Sequence, residues 1–422
     1  MRLFILFILI TPTLICQNLV LQGVNVIPVS SNTVMIGVDV FIKGGKIEKI
    51  KPAGSLPYVK NYEVIDCKGK YVMPGLADMH AHFPDNKSPI QLQEYLKLNL
   101  AAGVTTIRSM RGEEYQLALR DSIKSKKKIA PGIYVSYVFP DSDSLLTKDS
   151  IENIVVRAKN KKYDFIKYLG GINERNISYL VESCKKNNMT VAGHAYSSSL
   201  MKSVELGFTS VEHYQPVLGV YLKDSLNLNK NISVLKEKNT ALCPTLSFYY
   251  VYAFGFTRDE LLKRNGIEFV SKKVTDEWMN DYTQVLFKTQ QELRGDFDSK
   301  YKDVYKKQFS DFNRVFKKMT DENVLMLLSP DEGFFNVPGF AMAEEMKLYK
   351  LAGLSNYQIL KSATLNAAIY FKEDKIWGSV EIGKKADLLL LNENPLENIE
   401  NITKVEGTIL NGIFYSQKSL LK

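Results

Sequence analysis

One short stretch, YVMPGLADMHAHF at residues 71–83, constrains this chain more than any other. Pro74 and Gly75 end whatever precedes them, and a mostly apolar run follows, of the type found in a parallel strand covered on both faces. His80 and His82 stand at its end, where the period of two in a strand directs both imidazoles to one side. Two neutral imidazoles that converge in this way can bind one metal ion, although a His-X-His pair is not specific by itself.

After this stretch the chain alternates between predicted strands and amphipathic helices such as Ile90–Ala102 and Asn173–Asn187. Eight strands in this rhythm predict an α/β fold, a closed parallel (β/α)8 TIM barrel. In that fold the functional side chains lie at the carboxyl ends of the strands. After the opening strand, the predicted strands are Gly103–Met110, Gly132–Phe139, Asp164–Gly170, Met189–Ala195, Thr209–Tyr214, Ala241–Ser247 and Val324–Asp331.

Both ends of the chain are strand-like and predict a small β-sandwich domain. Lys43–Lys46 and Asn411-Gly412 are hairpin-turn signals, and Trp377–Val380 also has strand-like composition. The N-terminal unit is too short to bury a core of its own, so we expect the two ends to combine. The predicted domains are a β-sandwich of residues 17–73 and 377–422 and a barrel domain of residues 74–376.

Residues 249–321 interrupt the barrel rhythm with charged and aromatic residues at helical spacing, including Asp276–Arg294 and Asp303–Met319. We interpret this segment as a helical insertion over the barrel mouth. A peripheral decoration is the alternative.

Residues 1–16 predict a secretory signal peptide. Arg2 gives a short positive start, Leu3–Ile10 an apolar core and Pro12 a break. The apolar run is too short to span a bilayer as a mature helix. We therefore expect an exported protein, periplasmic or secreted, with lipid anchoring through Cys16 as the alternative.

Composition narrows the class of partner. The 422 residues are 45% hydrophobic, which indicates a globular protein, and the formal net charge is +9. The lysines are spread along the whole chain without a nucleic-acid motif, so we expect no nucleic-acid partner. Removing the signal leaves three of the four cysteines, which form no disulfide framework. A small-molecule or peptide substrate is expected, and a homo-oligomeric state stays open.

The chain has only four histidines, and each stands at or near the end of a predicted barrel strand. They are His80, His82, His194 and His213. Lys167 precedes His194 by 27 residues, and His213 follows His194 by 19, each about one strand-helix step. Asp331 follows His213 by 118 residues, which is too long for two strand-helix steps without an insertion. With the helical insertion subtracted, Asp331 falls at the end of the eighth strand.

These motifs together resemble the amidohydrolase superfamily, in its binuclear form with a carboxylated lysine. PGLADMHAHF is similar to the family's first metal motif, AAGVTTIRSM to the second strand and YDFIKYLG to the lysine strand. VAGHAYS and SVEHYQPV resemble the fifth and sixth strands, and the C-terminal run through IWGSVEIGKKADLLLLNENPLENI resembles the closing segment. Within the superfamily, the sequence most resembles imidazolonepropionase-like and Xaa-Pro dipeptidase-like members.

The resemblance implies two divalent metal ions, with zinc as the default and Mn, Co or Fe as alternatives. Lys167 would be carbamylated by CO₂, because an ammonium cannot bind a cation, and the resulting carboxylate would bridge both ions. A lysine that packs its stem and extends its amine to water is the alternative. The implied metal ligands are His80, His82, Lys167, His194, His213 and Asp331.

The implied reaction is the hydrolysis of an amide, peptide or cyclic-amide C–N bond by a metal-bridging hydroxide. Asp331 would be the catalytic residue that takes the proton and passes it to the leaving group. Lactone, ester or organophosphate hydrolysis on the same site is the alternative. Tyr214, and Tyr137 where many relatives carry a histidine, are candidate substrate contacts. Arg108 either faces the mouth or forms a structural ion pair.

Overall fold

A computed structural model describes residues 18–55, 61–85, 88, 90–254, 256–293, 302–331, 333 and 335–422. The predicted signal peptide, including Cys16, lies outside the described residues. The strands are β1 Leu19–Val26, β2 Met35–Lys43, β3 Lys46–Pro52, β4 Glu63–Asp66, β5 Tyr71–Pro74, β6 Leu76–Ala81, β7 Val104–Ser109, β8 Gly132–Val138, β9 Phe165–Tyr168, β10 Val191–Gly193, β11 Ser210–Glu212, β12 Ala241–Cys243, β13 Leu388–Leu391, β14 Val405–Leu410 and β15 Ile413–Ser416.

The helices surround the barrel and form the insertion. They are α1 Leu92–Ala101, α2 Glu114–Lys124, α3 Lys148–Asn160, α4 Glu174–Lys186, α5 Leu200–Leu206, α6 Gln215–Asp224, α7 Leu228–Lys238, α8 Leu246–Phe254, α9 Arg258–Leu261, α10 Lys272–Leu293, α11 Lys302–Asp321, α12 Ala341–Leu351, α13 Asn356–Ser362, α14 Leu365–Tyr370 and α15 Gln417–Leu420. Among the described residues, no helix combines the length and the apolar character needed to cross a membrane.

Strands from both chain ends form one mixed sheet in the order β15-β14-β13-β5-β1-β2-β3, with β4 paired to β1. The predicted hairpins are present: Lys43 pairs with Lys46, and Leu410 pairs with Ile413. Alternating aliphatic side chains of β1, β2, β13 and β14 close over a buried core. A β domain built from the two ends is therefore confirmed.

Seven parallel strands form the barrel wall in sequence order from β6 to β12. Every residue of β6, β7 and β9 is buried, as expected for strands covered on both faces. Residues 325–328 close the wall: the Leu327 amide donates to Leu242 on β12, and the Met79 amide on β6 donates to Leu328. The predicted eighth strand is therefore a short bridging segment, and the barrel fold is confirmed.

The insertion consists of α8 to α11 and packs against the mouth. Trp278 of α10 contacts Phe335, with ring centroids 5.7 Å apart, in the loop after the bridging segment. Arg264 donates to Asn336 and to the Phe335 carbonyl in the same loop. Helices of residues 249–321 therefore hold the loop that contains Asp331.

One strand prediction is wrong. Trp377–Val380 forms bends, although its composition favours a strand. Gly378 has φ +90°, and a Cβ there would lie 2.6 Å from the Ala368 Cβ. Trp377 donates its indole N–H to Glu373 at 2.7 Å. The segment turns under the barrel because this contact and the glycine override strand propensity.

Candidate metal centre

The six predicted ligands come from five strand ends of the barrel. His80 lies on β6 and His82 just beyond it, Lys167 lies on β9, and His194 and His213 directly follow β10 and β11. Asp331 follows the bridging segment. His80 and Lys167 are 1% exposed and Asp331 is 6% exposed. The barrel closure alone brings these side chains to one rim, because parallel strands end on the same side.

Asp331 is at the centre of the cluster. Its Oδ1 lies 3.3 Å from the His82 Nε2 and 4.0 Å from the His80 Nε2, and its Oδ2 lies 3.6 Å from the His213 Nδ1. The His194 and His213 rings are 4.9 Å apart at their centroids. Two ligand atoms each about 2.0–2.2 Å from one ion are roughly 3.3–3.6 Å apart at a tetrahedral angle. His80, His82 and Asp331 can therefore hold a metal ion.

Three of the histidines have the Nδ1 side of the ring fixed by a neighbour. The His194 Nδ1 lies 2.7 Å from the Leu169 carbonyl oxygen. Because a carbonyl oxygen can only accept, the Nδ1 donates this hydrogen bond. The His213 Nδ1 lies 2.8 Å from the Thr245 hydroxyl, and the His80 Nδ1 lies 2.8 Å from Glu212 Oε2. The carbonyl beside His194 and the carboxylate beside His80 are acceptors that favour Nε2 as the free nitrogen, which is the arrangement that a ligating imidazole needs.

Burial also favours the neutral form of the same three histidines. Burial lowers the pKa of His213 to about 4, and it lowers the pKa of His80 and of His194 below their usual value. For Asp331, burial by itself raises the pKa, but the nearby imidazoles of His80 and His82 outweigh burial and lower it. Neutral imidazoles beside an ionised carboxylate form a donor set suited to a divalent cation.

Lys167 differs from the neighbouring buried charged residues Arg108, Glu212 and Asp78, each of which has at least one hydrogen-bond partner. Its Nζ is buried and makes no hydrogen bond within the described residues. Burial lowers its pKa to about 8, and its charge in turn lowers the pKa of His80, His194 and His213, so the amine lies among them. An unpartnered buried amine fits conversion to a carbamate, which would be an anionic ligand for two cations.

Three residues at the same rim have a strained backbone. His213, Thr245 and Asp331 have φ values of 72°, 50° and 53°, in the left-handed region that non-glycine residues seldom adopt. Such conformations persist where the surrounding structure enforces them, and they occur often at functional sites.

A buried ion pair lies directly below the cluster. The Arg108 Nη2 donates to both oxygens of Glu212 at 2.9 Å, and the Nη1 donates to the Ser210 hydroxyl at 2.8 Å. Arg108 and Glu212 are both 0% exposed. Of the two alternatives for Arg108, the structure has the structural ion pair.

The two predicted substrate contacts pack against other side chains. Tyr214 is 2% exposed, stacks on Phe309 at 5.2 Å and donates to Gln308 under the insertion. Tyr137 is half-buried and meets Tyr163 edge-on at 5.3 Å, on the strand face that packs toward the helices. The structure does not bring Tyr137 into the cluster, and a substrate role for either tyrosine stays a prediction.

Two cavities flank the cluster. One of about 280 Å³ lies beside His82 and is lined by Arg111, Trp278 and Asn336. The other, of about 540 Å³, lies beside His194 and is lined by the Gly170-Gly171 turn. Sequence reasoning missed Trp278, Glu212 and Thr245. The sequence did contain a signal for Glu212, because it is a charged residue in a strand expected to be buried and it directly precedes the predicted ligand His213.

Comparison with known proteins agrees with this geometry. Residues 71–414 match the model of the amidohydrolase family. Curated relatives include adenine deaminase 2 of Bradyrhizobium sp. (strain ORS 278), 26% identical over 203 residues, which cover 43% of this chain and 33% of that protein. Adenine deaminase 3 of Rhizobium johnstonii is 36% identical over 90 residues, 21% of this chain and 14% of that protein. The chain therefore matches a third or less of these relatives' length.

Solved structures share the fold. A Xaa-Pro dipeptidase with bound methionine superposes with a TM-score of 0.69 at 20% identity, covering 94% of this chain and all of that one. Bottromycin amidohydrolase superposes with a TM-score of 0.73 at 18% identity, covering 96% of this chain and 88% of that one. Because the family match spans most of the sequence and the barrel carries a candidate metal centre, this chain belongs to the amidohydrolase family.

Proposed function

We propose that this protein is an exported, binuclear metal hydrolase that cleaves an amide, peptide or cyclic-amide bond in a small substrate. The observation that carries the proposal is the convergence of His80, His82 and Asp331 with an unpartnered Lys167 amine in a closed barrel. An interior of this kind is costly for stability alone, because buried charges require partners.

The residues divide into two ligand groups. His80, His82 and Asp331 would hold one ion, and His194 and His213 would hold the other, with carbamylated Lys167 joining the two groups. The nitrogen and carboxylate donors suit zinc, and Mn, Co or Fe also accept such ligands. A ¹³C resonance of a carbamate carbon in protein equilibrated with ¹³C-bicarbonate would identify the modified lysine, and its absence from fully metal-loaded protein would contradict the modification.

The chain's own groups perform the proton transfer. When bound, the metal pair supplies a water ionised near neutral pH and polarises the scissile carbonyl. Asp331 takes the nucleophile's proton and donates it to the leaving nitrogen. Its low pKa keeps it ionised before the reaction, and Asn336 and Ser329 hold its backbone in place.

The cavities favour a small substrate. The larger one has a volume of about 540 Å³ and opens at His194, and the smaller one presents Trp278 and Arg111 beside His82. These volumes suit a dipeptide or an N-acyl amino acid. The names of the similar proteins, a Xaa-Pro dipeptidase and adenine deaminases, also refer to reactions at C–N bonds.

The test combines metal analysis with a substrate panel. Purified protein should contain up to two divalent ions per chain and should hydrolyse dipeptides or N-acyl amino acids faster than lactones or organophosphates. Higher kcat/KM values for lactones would favour the alternative reaction. Protein that contains no metal and gains no activity with Zn, Mn or Co would contradict the proposal.

Export is tested separately. Mature protein recovered from cells should begin at Gln17, after cleavage behind Cys16. A lipid adduct on Cys16 would indicate anchoring, and intact residues 1–16 on cytoplasmic protein would contradict export.

A further inference from the structure

We propose that Glu212, held in place by Arg108, is the positioning residue that fixes the tautomer of His80 for metal binding. This inference rests on the proposed metal function of His80 and assigns a role to a pair of residues outside the six ligands. Glu212 precedes His213 in the chain, but its side chain points below the rim toward a different histidine, His80 on β6.

The contact with His80 sets the position of a proton. The His80 Nδ1 lies 2.8 Å from Glu212 Oε2, with both groups at most 1% exposed. An ionised carboxylate can only accept, so Nδ1 must carry the hydrogen and Nε2 must keep its lone pair. That Nε2 lies 4.0 Å from Asp331 Oδ1, a separation that an ion can bridge and a hydrogen bond cannot.

Arg108 fixes the position of the Glu212 carboxylate. Its guanidinium donates to both carboxylate oxygens at 2.9 Å, and the Ser210 hydroxyl donates to Oε1. The Arg108 Nε also donates to the carbonyl of Met79, the residue before His80. One side chain therefore ties the carboxylate of β11 to the strand end that carries the ligand, and it leaves the carboxylate little rotational freedom.

Glu212 differs from the other acceptors in charge. The His194 Nδ1 donates to the neutral carbonyl of Leu169, and the His213 Nδ1 contacts the neutral hydroxyl of Thr245. Of these three histidines, only His80 has a carboxylate within hydrogen-bond distance of its Nδ1 in the described part of the chain. A carboxylate makes the imidazole a more basic ligand, and removing such a partner typically lowers metal affinity by about 10–100-fold. The effect should be confined to the ion held by His80, His82 and Asp331.

The test uses Glu212→Gln in the full chain, with ¹⁵N-labelled histidine and Zn²⁺ titration of metal-free protein. Four histidines give few imidazole signals, which single-histidine variants can assign. We expect His80 to be the Nδ1–H tautomer in the wild type and a mixture of tautomers in the variant. We expect one Zn²⁺ affinity to fall about 10–100-fold and the other to stay within about threefold.

Glu373→Gln is the matched control. Glu373 accepts from Tyr134 and Trp377 at the opposite end of the barrel, at 2.6 and 2.7 Å. The same chemical change there should move neither the His80 tautomer nor either Zn²⁺ affinity. If Glu212→Gln fails to fold because Arg108 is left unpaired, the double variant Arg108→Met/Glu212→Gln removes both charges and takes the same measurements.

The outcomes separate this inference from the proposed function. A wild type that binds no Zn²⁺ overturns both the metal function and the inference that rests on it. A wild type that binds two ions, together with unchanged affinities in the folded Glu212 variant, overturns the positioning role alone. A His80 that is the Nε2–H tautomer in metal-free wild type also overturns it.

Discussion

The core of the β domain and the interior of the barrel are both buried, but they differ in the chemistry of their side chains. The β-domain core is aliphatic, formed by side chains such as Leu21, Val40 and Leu390. The barrel interior buries Arg108, Lys167 and other charged groups at 0–1% exposure. Apolar packing is non-directional and depends on buried area, whereas buried charges are tolerated only with partners. The first region is built for stability and the second for specific placement.

Among the buried charged side chains of the barrel interior, Lys167 stands apart because its charged group has no hydrogen-bond partner at all within the described residues. Arg108 and Glu212 satisfy each other, and Asp78 accepts from the Ser329 hydroxyl. In the β domain the buried Lys384, 9% exposed, donates to Ser379 and pairs with Glu381 at 2.7 Å. Of these two buried lysines, Lys167 at the candidate site has no partner, whereas Lys384 in the β domain is paired. Burial of a lysine in this chain therefore does not by itself leave its amine unpaired.

The largest expected effect is on catalysis at the barrel rim. Asp331→Asn keeps an oxygen that can contact a metal but removes the proton acceptor, so turnover should fall about 10²–10⁴-fold. The measurements are kcat/KM on the best substrate of the panel and metal content of the same sample. Full turnover with metals bound would show that Asp331 is a ligand only and would contradict the assigned proton transfer.

The next largest expected effect is on metal affinity, and it tests the unpartnered amine of Lys167. Lys167→Ala should lower metal affinity by more than the about 10–100-fold typical of an orienting partner, because it removes the predicted bridging ligand. Acetate should restore part of the metal content by occupying the space left by the side chain. Lys384→Ala is the control and should keep its metal. Equal metal content in the Lys167 and Lys384 variants would contradict the prediction that Lys167 is a metal ligand.

Much of the fold and the ligand set could be predicted because the signals are local. Hairpin turns at Lys43–Lys46 and Asn411-Gly412 follow from glycine chemistry, and period-two alternation places His80 and His82 on one side of a strand. The long helices α10 and α11 were also predicted to within a few residues, from aromatic and charged side chains at helical spacing.

The rest depends on contacts that the sequence does not encode locally. Glu212 and Arg108 are 104 residues apart in the chain, and nothing in either motif indicates that they meet. Tyr137 shows a second limit, since alternation states which residues share a strand face but not which face lies inside the barrel. The Trp377–Val380 bend depends on contacts with Ala368 and Glu373, which override strand propensity.

A third change tests the aliphatic region. Leu390→Ala on β13 empties a position that is 0% exposed between β5 and β14, so unfolding free energy should fall by about 2–5 kcal/mol. The kcat of the folded variant should stay at the wild-type value, as measured below the unfolding transition. A large loss of kcat without a loss of stability would contradict the division of roles between the two regions.

The smallest expected effect concerns a buried acid near the rim. Glu345 is 0% exposed and accepts from the Leu246 and Ser247 amides, and burial raises its pKa to about 8 from an ordinary value of 4.5. Between these pH values the folded chain holds a proton that the unfolded chain has lost. Its contribution to stability is therefore complete below about pH 4.5 and declines as the pH rises toward 8.

Glu345→Gln removes this titration while keeping the side-chain volume. Between pH 5.0 and 6.5 the metal-free wild type should lose up to about 2 kcal/mol of unfolding free energy relative to the variant. Urea unfolding of both proteins at the two pH values measures the difference, and other groups that titrate in this range cancel. Parallel pH dependence in the two proteins would mean that Glu345 is ionised in the folded state. The barrel would then bury an ionised carboxylate that two backbone amides stabilise, in contrast to the unpartnered amine of Lys167.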